Sequence, residues 1–155
     1  MSKKDEMFSK LVGQQPPEVK DWILDMDKFL TDGGCKSSMD AKNTFTYTSK
    51  KSKKMVCKIS IDPSGCTIRP NTNCGDLAID FPEIMLAEMR GGRGCGTCAE
   101  KNPDFVQCRH GGPFELAYNG EKFQRCRYYG FNFSADNAIV REVLKKWIEL
   151  ELEGC

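Results

Sequence analysis

Four of the nine cysteines and the only histidine of this chain are candidate ligands for a metal ion, although only the first two cysteines have a recognised ligand spacing. Cys95 and Cys98 form a C-x-x-C pair, and Cys108, His110 and Cys126 follow further along the chain. A C-x-x-C turn points two thiolates at one centre, and structural Zn²⁺ takes four thiolate or imidazole ligands in a tetrahedron. The predicted ligands are Cys95, Cys98, Cys108 and Cys126, with His110 as a substitute for Cys108. Four thiolates leave no position for water, so the predicted site is structural.

A hairpin must bring the last of these ligands to the others. Asn119-Gly120 predicts a type I′ turn, because both residues tolerate positive φ. The resulting register pairs Tyr118 with Glu121, Leu116 with Phe123, Phe114 with Arg125 and Pro113 with Cys126. Cys126 then lies at the open foot of the hairpin, close to Cys108 and His110.

Two other interpretations of these cysteines stay open. They are reduced residues that pack as small hydrophobes, or Cys95 and Cys98 form a thiol–disulfide redox pair. Redox C-x-x-C motifs follow a strand and open a helix. Here the pair lies between a glycine-rich run, residues 91–94, and a loop at residues 100–103, so the redox interpretation is the less favoured of the two.

Composition describes an ordinary globular chain. Its 155 residues predict one domain, residues 1–155, with 39% hydrophobic and 29% charged residues and a net charge of +1. With so small a net charge, no overall electrostatic field attracts the chain to nucleic acid or anionic lipid. The lysines at 50–54 are typical of a solvated turn. The polar first ten residues and the lack of a long apolar run predict a cytoplasmic protein without a membrane partner. In that compartment we expect the cysteines to be reduced or metal-bound rather than disulfide-bonded.

Helical periodicity appears in three places. Pro16-Pro17 precedes an apolar stripe that ends at Gly33-Gly34, which predicts a helix over 16–31. An acidic start at Asp80 predicts a second helix over 81–90. A long apolar stripe that Ser134 can cap predicts a third over 135–152.

Alternating apolar residues predict strands between the first two helices. The three segments run over residues 42–48, 55–61 and 66–70, separated by turns, and form an antiparallel meander in which Cys57 and Cys66 face the core. Phe131 and Phe133 are predicted to bury against the last helix. The sequence thus predicts the α+β class, with one antiparallel sheet, the meander plus the cysteine-rich hairpin, packed against three helices.

The sequence lacks residues that several enzyme classes require. Zinc deaminases need a His/Cys-x-Glu element before the C-x-x-C, whereas His110 follows it. A single histidine excludes catalytic zinc sites with several imidazoles. The run Gly91-Gly92-Arg93-Gly94 lacks the Lys-Ser/Thr that completes a P-loop.

Three motifs of the C-terminal half occur together: Cys95-Gly-Thr-Cys98, Gly120-Glu-Lys-Phe-Gln-Arg-Cys126 and Phe131-Asn-Phe133. Over residues of about 90–150 the chain resembles cysteine-rich bacterial α+β domains, which have no assigned activity. The resemblance therefore implies a bacterial protein and a fold, and it implies no reaction.

These observations lead to one leading hypothesis and two alternatives. The leading hypothesis is a non-catalytic binding or regulatory module whose cysteine-rich segment, residues 91–133, is held by Zn²⁺, with a protein or a small molecule as its partner. One alternative is a small-molecule-binding domain with an apolar pocket lined by Phe45, Tyr47 and Phe131. The other is a redox protein that uses Cys95 and Cys98.

Overall fold

The computed structural model describes residues 2–40, 43–74, 77–90, 114–126 and 129–154, and it confirms the α+β class. Within these residues the helices are α1 (Lys3–Gly13), α2 (Pro17–Asp32), α3 (Glu83–Arg90) and α4 (Ala138–Glu153). The strands are β1 (Cys35–Asp40), β2 (Thr44–Ser49), β3 (Met55–Asp62), β4 (Gly65–Pro70), β5 (Phe114–Tyr118), β6 (Glu121–Arg125) and β7 (Phe133–Ser134).

The strands form two sheets rather than the single sheet that the sequence predicted. One is antiparallel with the order β1-β2-β3-β4-β7, and the other is the β5–β6 hairpin alone. Strand β7 explains the difference, because Phe133 pairs with Ile68 and Ser134 with Thr67 along the free edge of β4. That edge is therefore occupied, and the hairpin packs as a separate layer beside α3.

Helix α1 and strand β1 were not predicted, which makes four helices in the described residues where three were expected. Both elements are polar: α1 buries only Leu11 and Val12, and β1 fully buries only Cys35. Local capping starts α1, since the Ser2 hydroxyl accepts a hydrogen bond from the Asp5 N–H at 3.2 Å. Periodicity analysis misses such elements because they have too few apolar residues to show a period.

The two long helices follow their apolar stripes closely. Pro17 begins α2 and Gly33 caps its end, as predicted. Helix α4 begins three residues later than expected, because Asn137 rather than Ser134 caps it: the Asn137 Oδ1 accepts hydrogen bonds from Ile139 N at 2.8 Å and Val140 N at 3.2 Å. No helix of the described ranges is long and apolar enough to cross a membrane.

Trp147 of α4 lies at the centre of the core and is fully buried. Its ring contacts Phe81 at 5.6 Å, Phe133 at 5.8 Å and Phe131 at 6.1 Å between centroids. Phe81 in turn packs edge-on against Tyr118 of β5 at 5.1 Å. The tryptophan therefore joins the five-stranded sheet to the hairpin, and the predicted burial of Phe131 and Phe133 against the last helix is confirmed.

Candidate functional site

The hairpin places Cys126 where the sequence predicted. Phe114 pairs with Arg125, Leu116 with Phe123 and Tyr118 with Glu121. Asn119 and Gly120 have φ of 49° and 76°, the positive values of a type I′ turn. Cys126 follows β6 directly, at the foot of the hairpin. Pro113, its predicted partner, lies outside the described residues.

Cys126 is a buried thiol at the foot of the hairpin. Its thiol is free and 1% exposed. Cys126 is buried among the core side chains, as Cys35, Cys57, Cys66 and Cys74 are, and the two residues that follow it, 127 and 128, lie outside the described residues. The Cys126 carbonyl accepts a hydrogen bond from Gly130 N at 2.7 Å, which fixes the backbone just after the hairpin.

Arg125 anchors the foot of the hairpin beside Cys126. The guanidinium is 7% exposed, and its Nη2 donates to the carbonyl oxygen of Glu88 near the end of α3 at 2.8 Å. The same group lies 5.3 Å above the Phe131 ring, in a cation–π contact. Burial lowers the pKa of Arg125 from its usual value. This arrangement holds the backbone that carries Cys126 against α3.

The remaining predicted ligands, Cys95, Cys98, Cys108 and His110, lie outside the described residues, as does most of the cysteine-rich segment. The redox prediction for Cys95 and Cys98 falls there too. Within the part of the chain that the structure describes, no three His, Cys, Asp or Glu side chains come together as metal ligands. A four-ligand zinc site that includes Cys126 must therefore draw at least two of its ligands from residues beyond that part.

Three cysteines serve as packing residues of the sheet. Cys57 and Cys66 are 0% and 2% exposed and face the helices, as predicted, and Cys35 is buried at the start of β1. Burial raises the pKa of all three thiols, that of Cys66 to about 12. Such thiols remain protonated at neutral pH and are poor nucleophiles and metal ligands.

Cys74 corrects the expectation of a fully reduced or metal-bound set, because it is disulfide-bonded. Glu151 of α4 holds the backbone of its loop: the carboxylate accepts hydrogen bonds from Asn73 N at 3.1 Å and Cys74 N at 3.3 Å. Asn71 fixes the other end, with its side chain donating to the Met55 carbonyl at 2.7 Å. A loop held in this way keeps the Cys74 sulfur in one place. A reducing compartment predicts the average state of cysteines, and it does not predict the state of a single cysteine held in a fixed loop.

Glu151 is a buried carboxylate that the sequence analysis missed. It is 4% exposed, and burial raises its pKa above the usual value although the backbone N–H groups of Asn73 and Cys74 partly oppose that rise. A signal was present: Glu151 continues the helical spacing of Val140, Leu144 and Trp147 on the buried stripe. An acidic residue in such a position indicates a carboxylate that accepts hydrogen bonds inside the protein.

Phe45, Tyr47 and Phe131, expected to line one apolar pocket, lie in different places. Phe131 packs against Trp147, whereas Phe45 and Tyr47 border a cleft of about 390 Å³ between α1, α2, β1 and β2. Lysines and aspartates also line that cleft, so its walls are largely polar rather than apolar.

Comparison with known proteins gave no match to a family model, to a curated protein or to a solved structure.

Proposed function

We propose that the protein is a non-catalytic binding module whose cysteine-rich segment is fixed by a structural Zn²⁺ ion. The ligands are Cys126 with Cys95, Cys98 and Cys108, and His110 is the substitute for Cys108. The observation that carries the proposal is the position of Cys126, a buried free thiol at the foot of the hairpin and within the cysteine-rich segment.

The donor set suits zinc. Thiolates at tetrahedral spacing bind Zn²⁺ tightly, and ion binding adds to folding free energy because the unfolded chain has no preformed site. A two-stranded hairpin is marginally stable alone and gains most from such a constraint. The bound ion would hold the segment in one conformation, and a saturated four-ligand site would supply no open position for a reaction.

The proposal extends to a cytoplasmic location and to a protein or small-molecule partner. Zinc needs reduced thiolates, which a reducing compartment maintains. The disulfide at Cys74 is the opposing observation, since each sulfur in a disulfide is lost as a thiolate ligand. Zinc binding therefore requires the cysteines of the cysteine-rich segment to be reduced.

Metal analysis of matched variants tests the proposal. The full chain is purified without chelator under reducing conditions, and zinc is quantified by mass spectrometry together with free thiols. We expect zinc in a one-to-one ratio with the chain. Cys126→Ala should lose the metal, whereas Cys66→Ala, equally buried but in β4 and outside the cysteine-rich segment, should retain it.

Circular dichroism of both variants separates metal loss from unfolding. A wild-type chain without zinc would overturn the proposal, and so would a folded Cys126→Ala variant with the full zinc content. If the Cys126→Ala variant does not fold, chelation of the wild-type chain replaces it: added chelator must then speed hydrogen exchange in β5 and β6 more than in β2 and β3.

A further inference from the structure

A second candidate site lies well away from Cys126, in a cleft between the start of α1, the end of α2 and strands β1 and β2. We call it the α1–α2 cleft. Its volume of about 390 Å³ is at the lower end of the range for small-molecule sites. It does not draw on the cysteine-rich segment, so its function is independent of zinc.

One wall of the cleft is aromatic. Phe8 of α1 and Phe45 of β2 meet edge to face with 5.2 Å between ring centroids. Phe45 is 1% exposed, and Phe8 is partly exposed beside it. Phe8 therefore offers an apolar surface against which a flat ring can pack, and the buried Phe45 holds the Phe8 ring in place.

The floor carries a hydrogen-bonded pair of polar groups. The Tyr47 hydroxyl donates to Asp27 Oδ1 at 2.7 Å. Burial, together with the nearby Asp27 carboxylate, raises the pKa of Tyr47, so the phenol keeps its proton and continues to donate. A carboxylate has about four acceptor positions, so Asp27 can also accept a hydrogen bond from a ligand.

The rim is positively charged. Lys4 is held in place by Ser37, whose hydroxyl and carbonyl oxygens accept hydrogen bonds from Lys4 Nζ at 2.8 and 3.2 Å. Lys36 and Lys50 also line the cleft, and neither forms an ion pair within the described residues. Two carboxylates also line the cleft, and both accept hydrogen bonds inside the protein: Asp27 from Tyr47, and Asp5 from Ser2. Lys50 therefore remains available for an anion, whereas the Lys36 side chain alternates with that of Ser37 and lies on the other face of the sheet.

We propose that the α1–α2 cleft binds a small organic anion that combines a phosphate or carboxylate group, a planar ring and a hydrogen-bond donor. The anionic group contacts Lys50 beside Lys4, the ring packs on Phe8, and the donor reaches Asp27. Asp27 repels the anionic group and so fixes the orientation of the ligand. A nucleoside monophosphate has all three features at a suitable size.

Titration of the isotopically labelled full chain, followed by NMR, tests the proposal with three probes: adenosine monophosphate, adenosine and inorganic phosphate. We expect adenosine monophosphate to shift the amide signals of Lys36, Ser37 and Tyr47 and to bind more tightly than either fragment. Lys50→Gln should weaken that binding by about two- to five-fold, the effect of one partly solvated ion pair. The control Lys51→Gln, an exposed neighbour that does not line the cleft, should leave the affinity unchanged.

Phe8→Ala separates ring packing from charge. It should weaken the binding of adenosine monophosphate and leave the binding of inorganic phosphate unchanged. The absence of signal shifts with adenosine monophosphate would overturn the proposal. Equal affinities for phosphate and adenosine monophosphate would also overturn it, because they would show a surface that attracts any anion. Equal effects of Lys50→Gln and Lys51→Gln on the affinity would have the same meaning. Zinc content does not enter these measurements, so either proposal can fail alone.

Discussion

The five-stranded sheet and the hairpin are stabilised in different ways. In the sheet region, which comprises β1–β4, β7, α1, α2 and α4, helices cover one face and side chains such as Ile59 and Ile68 are fully buried. In the hairpin region, which comprises α3, β5 and β6, the strands bury only Phe114, Leu116 and Phe123 of their apolar side chains.

The difference indicates which region is less stable without outside contacts. A sheet packed on helices buries enough apolar area to be stable alone, whereas a two-stranded hairpin does not. The hairpin region instead relies on contacts that cross its boundary: Tyr118 packs on Phe81, which packs on Trp147, Arg125 lies over the Phe131 ring, and in our proposal a zinc ion binds Cys126. Variants that change one region should therefore reveal how much each depends on the other.

The largest effect is expected at the residue that joins the two regions. Trp147→Ala removes a fully buried ring that contacts Phe81, Phe131 and Phe133. We expect the free energy of unfolding to fall by about 3–5 kcal/mol, measured by equilibrium denaturation. Leu24→Ala on the exposed face of α2 is the control and should change it by about 0.5 kcal/mol or less. A loss below about 1 kcal/mol at Trp147 would show that the core repacks around the gap.

A smaller effect is expected at Glu151, which lies inside the sheet region but holds the Cys74 loop. Glu151→Ala leaves Asn73 N and Cys74 N without their acceptor and should cost about 1–3 kcal/mol. Glu151→Gln keeps an acceptor oxygen and removes the titration, so its comparison with the wild-type chain isolates the effect of pH.

The sign of that pH dependence follows from the raised pKa of Glu151. The folded chain holds the proton more tightly than the unfolded chain does, so protonation of Glu151 favours folding. This contribution is complete below the ordinary pKa of 4.5 and is lost as pH rises through the raised value. The wild-type chain should therefore lose stability relative to Glu151→Gln as pH rises from about 4.5 through the raised pKa. A constant difference across that range would contradict the prediction.

A third variant weakens the hairpin region alone. Gly120 has φ of 76°, and a Cβ added there would meet no atom within 4 Å, so Gly120→Ala acts through backbone strain only. The left-handed conformation should cost about 1–2 kcal/mol. Gly13→Ala, at the end of α1, also fills open space but has no positive φ, and it should be neutral or slightly stabilising. Hydrogen exchange should become faster in β5 and β6 after Gly120→Ala, and equal rates in the two variants would argue against local strain.

Sequence analysis succeeded where structure is decided locally. The register of β5 and β6 follows from Asn119-Gly120, two residues whose backbone preference selects the turn. The stripes of α2 and α4 fix those helices because each has enough apolar positions to show a period. The α+β class followed from the same two signals.

It failed where a structure depends on residues far apart in the chain. Glu151 meets Cys74 across 77 residues, so no local pattern reveals the contact. The edge of β4 is taken by the two-residue strand β7, which is too short to be predicted by alternation. The α1–α2 cleft takes its charged residues from α1, which was missed altogether, and from three other elements. At the candidate metal site, only the position of Cys126 could be compared with the prediction.

The smallest effect is expected from the ion pairs at the surface between α3 and the hairpin. Arg90 donates through Nε and Nη2 to both carboxylate oxygens of Glu121, at 2.9 and 3.1 Å, and through Nη1 to Glu83 at 2.6 Å. The hydrogen bond from Arg90 lowers the pKa of Glu121. Its stabilising contribution is therefore present above the unfolded pKa and lost as pH falls through the folded one. Arg90→Gln should speed hydrogen exchange in β6 slightly at neutral pH.

Solvent screening sharpens this comparison, because exposed ion pairs weaken with salt. The effect of Arg90→Gln should disappear at high ionic strength and at acid pH. The control Lys28→Gln breaks the Lys28–Asp32 pair, which lies within α2 and joins no two elements. It should leave hydrogen exchange in β6 unchanged. Faster β6 exchange in both variants, or in neither, would mean that Arg90 does not link α3 to the hairpin. The hairpin would then depend on Arg125, on the ring contacts of Phe81 and on the sulfur chemistry at Cys126.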